Sequence, residues 1–188
     1  NVVIDSFSDV RDTITFDISS VREIYIMNSV FYQAGEIARF TNIITRIAFG
    51  FNTIIKNPID SLIQFDECAE TYIVGNKFLG QELEEDIGED AISGSQIALK
   101  DPIEPAVLLG NYYDSLHGID GITQLWSELR AYDITISSET YVNNKAVFSG
   151  ALLIFLKQTW NGAKIPVTKV ENSIFIANEA TQGYYTDG

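Results

Sequence analysis

The chain has 188 residues, 46% hydrophobic and 20% charged, a size and balance that allow a single domain with a real core and exclude a disordered chain. Twenty-six acidic residues against 12 basic ones leave a formal net charge of −14. That charge opposes a phosphate backbone or an anionic membrane surface, so neither nucleic acid nor membrane is expected as a partner.

Cys68 stands alone, which excludes an intrachain disulfide and the disulfide-stapled secreted class. The first residues, NVVIDSFSDV, lack the basic and long apolar regions of a signal peptide. The longest apolar runs, such as AVFSGALLIFL, are too short to span a bilayer.

Residues 1 to 20 alternate polar and apolar, with Ile14, Phe16 and Ile18 on one face of a half-buried strand. This strand can pair with the chain's own sheet or be exchanged with a neighbour's. Val21 to Tyr32 reads as a strand. Residues 36 to 56 are divided between a helix, with Ile37, Phe40, Ile44, Ile47, Phe51 and Ile54 as its stripe, and a β-hairpin. Asn57-Pro58 predicts a brief helix ending near Asp66. In ETYIVGNKFLG, Gly75-Asn76 predicts a two-residue hairpin. The acidic run Gln81 to Asp90 lacks the spacing of a calcium loop and reads as a solvated loop.

Ser95 to Leu99 is a short strand. Asp101-Pro102 and Glu104-Pro105 make residues 100 to 104 a stiff, extended elbow, since the residue before a proline avoids the helical region. Pro105 then opens a helix with Leu108, Leu109, Tyr112 and Leu116 as its stripe, ending at Gly118 with His117 in its last turn. Asp120 caps a second helix with Ile122, Leu125, Trp126 and Leu129 on one face. Residues 132 to 178 read as an antiparallel meander turning at Asn143-Asn144, Asn161-Gly162 and Glu171-Asn172, its core covered by Phe155 and Trp160. The tail, 179 to 188, carries Tyr184 and Tyr185 as a docking arm. The expected fold is therefore α+β: one domain with an antiparallel β-sheet body, sandwich or meander, and a few short amphipathic helices.

No phosphate-binding loop, zinc pattern, nucleophile elbow or dinucleotide fingerprint occurs. Cys68 has no activating base near it in sequence, and the sole histidine, His117, suits a helix end better than a catalytic role. A glycosidase pair would need Glu84 and Asp120 in one cleft, and nothing in the sequence places them there. The expectation is no catalytic, cofactor-binding or metal-binding residue, no cofactor and no small-molecule substrate.

The stretch ISGSQIALKDPIEPAVLLGNYYDSL, residues 92–116, resembles a segment of tail and baseplate structural proteins of contractile-tailed bacteriophages. There, a short strand and a polar turn precede a Glu-Pro-x-Val-Leu-Gly-like phrase and an amphipathic helix. The matching residues are Ile97 to Leu99, Glu104, Pro105, Ala106, Val107, Leu108 and Gly110, with a departure at the doubled Leu108-Leu109. The resemblance implies a non-enzymatic virion part at a tail, baseplate or neck position, a homo-oligomer in contact with other virion structural proteins. The interface candidates are Ile14, Phe16, Ile18, Leu108, Tyr112, Leu116, Ile122, Leu125, Trp126, Leu129, Tyr184 and Tyr185. Two alternatives stay open: a subunit of an extracellular filament that donates residues 1 to 20, and a carbohydrate-binding β module using Tyr112, Tyr113, Trp126, Trp160, Tyr184 and Tyr185.

Overall fold

The computed structural model describes residues 3–5, 14–32, 36–55, 63–80, 95–118, 121–127, 132–156 and 167–180. Every strand pair among them is parallel, and none of them is helical. The chain winds through the same series of sheets again and again. Sheet B takes β2 (Ile14–Ser19), β5 (Glu36–Thr41), β8 (Ile63–Asp66), β11 (Ile97–Lys100), β15 (Thr123–Ser127) and β19 (Leu152–Leu156). Sheet C takes β3 (Glu23–Met27), β6 (Arg46–Gly50), β9 (Glu70–Val74), β12 (Ala106–Leu109), β16 (Ile134–Ser137) and β20 (Thr168–Glu171). Sheet A takes β1 (Val3–Asp5), β4 (Val30–Tyr32), β7 (Thr53–Ile55), β10 (Lys77–Leu79), β13 (Tyr112–Asp114), β17 (Thr140–Val142) and β21 (Ile174–Ile176). A short fourth sheet, D, joins the later coils through β14 (His117–Gly118), β18 (Lys145–Ala146) and β22 (Glu179–Ala180). The architecture is a parallel β-solenoid, in which each coil buries its apolar face only by stacking on the next.

One residue with positive φ makes each described B-to-C, C-to-A and A-to-D corner. Ser20, Asn42, Glu67 and Asp101 turn the chain from B to C; Asn28, Phe51, Gly75, Gly110, Ser138 and Asn172 turn it from C to A; Ser115, Asn143 and Ala177 turn it from A to D. This geometry corrects the predicted hairpins. A two-residue type I′ reversal needs positive φ at both central residues. At Gly75-Asn76 only Gly75 (φ +63°) has it, and at Asn143-Asn144 only Asn143 (φ +53°), so the chain bends into a new sheet instead of doubling back. Asn172 makes the same kind of corner, while Asn161-Gly162 lies outside the described residues. The antiparallel meander of 132 to 178 is thus a series of parallel strands, each bonded to the coil before it, and β16, β17 and β18 also to the coil after.

The helices are corrected too. Residues 63–66 of the brief helix are β8, and residues 36 to 55 hold β5, β6 and β7 in three different sheets. The helix expected after Pro105 is β12, β13 and β14, and the one expected after Asp120 contains β15. The elbow is the B-to-C corner. Asp101 takes φ +41°, outside the right-handed helical region as its place before proline requires, and Pro102 is buried. The N-terminal strand is β2, bonded to β5 of its own chain and not exchanged, with Phe16 and Ile18 packed against the core.

In-register stacking puts like on like. The inner column of sheet A runs Phe31, Ile54, Phe78, Tyr113, Tyr141, Phe175. Its last four rings stack at centroid distances of 5.0, 4.5 and 5.1 Å. Sheet B runs Ile18, Phe40, Phe65, Leu99, Leu125, Ile154, and sheet C runs Ile26, Phe49, Ile73, Leu108, Ile136, Val170. A one-residue slip in any strand would turn its column outward, which fixes the register.

Candidate interaction surface

At the C-to-A corner the residue after the positive-φ position points inward and bonds to its equivalent in the next coil. The column is Ser29, Asn52, Asn76, Asn111, Glu139, Ser173, at sequence separations of 23, 24, 35, 28 and 34. Each asparagine oxygen accepts from the preceding rung. Asn76 Oδ1 takes the backbone N–H (3.0 Å) and Nδ2–H (3.1 Å) of Asn52, while Asn76 Nδ2 donates to Phe49 O and to Asn111 Oδ1. The ladder thus pairs the polar groups that a corner buries. Asn144 and Asn178 repeat it at the A-to-D corner, with Asn144 Nδ2 donating to Asn178 Oδ1 at 2.9 Å. At the B-to-C corner the inward residues are Val21, Ile43, Cys68 and Pro102.

Glu139 is a carboxyl in an amide column. Its Oε1 accepts from the N–H and Nδ2–H of Asn111, at 3.0 and 2.9 Å. Its Oε2 has no aligned hydrogen-bond partner, and neither has the hydroxyl of Tyr113, although the two groups lie close enough to shift each other's titration. Burial drives the Glu139 carboxyl up to about 7, against the pull of Asn111 and Tyr113 toward the charged form. Burial likewise raises the phenols of Tyr113 and Tyr141.

Cys68 Sγ sits 3.4 Å from both Phe40 O and Asp66 O, and burial raises the thiol from 9.0 to about 11. A two-unit rise lowers the reactive thiolate fraction about a hundredfold. Alkylation of the native protein at pH 8 should therefore be slow, and it should accelerate sharply in denaturant. Fast alkylation of the folded chain would contradict this burial.

The predicted interface residues scatter over the solenoid. Leu108, Leu116, Ile122 and Leu125 are core. Tyr112 lies on the outer face of sheet A and its hydroxyl donates to Asp114 Oδ2 at 3.0 Å. Trp126 lies on the outer face of sheet B, stacked on Phe155 at 4.3 Å. Phe155 therefore covers no core, and each ring covers one face of the other. Leu129, Trp160, Tyr184, Tyr185, Glu84, Asp120, the acidic run and the side chain of Ile14 lie outside the described residues. His117 is not at a helix end but on β14. Burial first, and Lys145 second, lower its pKa. No cluster of three metal-ligating side chains occurs among the described residues.

The last coil is where the core opens. Leu125, Ile136 and Tyr141 are fully buried, yet their neighbours one coil later, Ile154, Val170 and Phe175, are 39%, 42% and 47% exposed. Phe155, Ile174 and Ile176 extend this apolar surface outward. Among the described residues, β19, β20, β21 and β22 each have a hydrogen-bonded neighbour on one side only. Open strand edges around exposed apolar side chains make a surface suited to another strand-bearing chain. Residue-by-residue reasoning missed it because a strand's place at the end of a stack is not written in its own sequence. No family model, characterised protein or solved structure matches this chain.

Proposed function

We propose that this protein is a non-enzymatic structural component of a virion, present in several copies at a tail, baseplate or neck position and acting through subunit contacts. The observation that carries the assembly role is the exposed apolar end formed by Ile154, Val170 and Phe175 within the open edges of β19, β20 and β21. Such a surface gains free energy by leaving water, at about 25 cal/mol per Å² of apolar area. A solenoid also suits a load-bearing spacer, since every coil is bonded along its sheets to its neighbours. The virion setting comes from the resemblance of residues 92–116, now seen as β11, a corner, β12 and β13 in place of the strand, turn and helix of that pattern. Quantitative mass spectrometry and immunogold labelling of purified particles test the reading. The chain should appear in fixed stoichiometry at one particle position; its absence from particles made by cells that express it would overturn the proposal.

A further inference from the structure

We propose that Glu139 is a pH-sensitive latch beneath the last coil: its protonated carboxyl lets β20 and β21 lie closed over it, and its ionisation releases them. The latch stands on the geometry of the ladder and not on the assembly reading above.

The first observation is what covers the group. Glu139 is fully buried, yet among the described residues only one coil lies beyond it. That coil is fastened to Glu139 itself. The Glu139 N–H donates to Ser173 Oγ at 3.3 Å, and the Ile174 N–H donates to Glu139 O at 2.8 Å. Beside these bonds the Ser138 N–H donates to Glu171 O, and the Phe175 ring caps Tyr141 at 5.1 Å. Among the described residues the strands of this coil are bonded on one side only, and Val170, Ile174, Phe175 and Ile176 are 42% to 53% exposed. Lifting it therefore sacrifices less burial than opening any coil below, which makes it the natural unit of local opening.

The second observation is what faces the carboxyl. Asn111 reaches Oε1 from the coil before, Tyr113 and Tyr141 lie beside it in sheet A, and Ser173 meets it from the last coil. Thr123 Oγ1, from β15, is bonded to the Tyr141 hydroxyl at 3.0 Å. None of these groups carries a positive charge. The charged pair of the last coil, Lys169 and Glu171, is joined at 2.6 Å on the outer face of sheet C, away from the ladder. Oε2 has no aligned donor. A neutral carboxyl is tolerated in such a site, whereas a carboxylate without a cation or water is costly. Lifting the last coil readmits water to Oε2 and relieves that cost.

Burial holds the carboxyl near 7 with the coil closed, and water returns it toward 4.5 with the coil lifted. Below 4.5 both forms keep the proton and pH has no effect. Between the two values only the closed form keeps it, so opening grows with pH. Above 7 it levels off, up to about 300-fold more frequent than in acid. Because Val170 and Phe175 leave with the coil, the same ionisation takes apart the apolar end of the stack.

Hydrogen exchange of the full chain from about pH 4 to about pH 9, expressed as protection factors, tests the latch. In wild type the protection of β20 and β21 should fall between pH 4.5 and 7, by up to about 300-fold, and then level off. At the other end of the stack, β2 and β3 open without exposing Glu139, so their protection should stay flat. Glu139→Gln should flatten β20 and β21 as well. The sole histidine, His117, remains in that variant, so any pH dependence it supplies survives there. If Glu139→Gln does not fold, Tyr113→Phe takes its place. It removes a hydroxyl that favours the charged carboxylate, so the levelling point should move to higher pH. Flat protection in wild type, an equal fall at both ends of the stack, a fall that persists in Glu139→Gln, or a levelling point unmoved by Tyr113→Phe would overturn the latch.

Discussion

Replacing Asn76 with alanine should lower the unfolding free energy by roughly 3–5 kcal/mol, read as a shift in the denaturant midpoint. The buried side chain accepts from the backbone and side chain of Asn52, and it donates to Phe49 O and Asn111 Oδ1. Removing it strands the Asn52 N–H and the Phe49 carbonyl at a fully buried corner, at about 1–3 kcal/mol for each unsatisfied group. Because coils contact only their neighbours, the loss should appear in hydrogen exchange of β6, β7, β9 and β10 before that of β16 and β17. Asn76→Ser should recover part of it. Serine already serves at the end of this ladder, where Ser173 Oγ donates to Glu171 O at 3.0 Å and accepts from the Glu139 N–H at 3.3 Å. Equal stability of Asn76→Ala and wild type would mean that the ladder is decorative.

Glu139 should make the fold less stable as pH rises from about 4.5 to about 7. Its carboxyl sits near 7 in the folded chain against an ordinary value of 4.5. Below 4.5 both states hold the proton and the group has no effect. Between the two values the unfolded chain releases the proton while the folded chain retains it, so unfolding becomes easier with each rise in pH. Above 7 both are ionised and the buried carboxylate costs its full penalty, about 3 kcal/mol from the size of the rise. Glu139→Gln preserves the acceptor that Asn111 uses and places an uncharged amide beside the Tyr113 hydroxyl. The variant should match wild type near pH 4.5 and exceed it by about 2–3 kcal/mol at pH 8. Parallel stability curves for the two proteins would show that Glu139 keeps an ordinary carboxyl.

Strand locations were legible where two-residue alternation was clean, as in Ile14 to Ser19 and Ser95 to Leu99, whereas Val21 to Tyr32, read as one strand, divides at Asn28 into β3 and β4 in different sheets. Corner residues were legible too, since glycine and asparagine adopt positive φ with little strain. The helices were misread for a physical reason. Each corner inserts one positive-φ residue and shifts the phase of the alternation, so apolar residues of the inner and outer faces together mimic a helical stripe: Leu108 and Leu116 are buried, but Leu109 and Tyr112 of the same expected stripe lie on the outer face. In the other expected stripe Ile37, Phe40, Ile47 and Ile54 are buried, but Ile44, beyond the corner at Asn42, and Phe51, itself a corner, are exposed.

The repeat itself lies in the sequence. NSVFY, FNTII, GNKFL, GNYYD, SETYV and NSIFI, beginning at residues 28, 51, 75, 110, 138 and 172, share a corner residue, a ladder residue and an aromatic or aliphatic residue two places on. Loops of unequal length between them hide any fixed period. The sequence by itself determined several of the residues that turn and that the chain is acidic, but not which apolar residues face inward, since Ile44, Phe51 and Leu109 of the expected stripes are exposed. Only the tertiary structure decided that strands pair with partners 22 to 35 residues away, and that the last coil exposes the ends of its apolar columns. A parallel rung is satisfied by the next coil and not by its sequence neighbour, so no local pattern can name its partner.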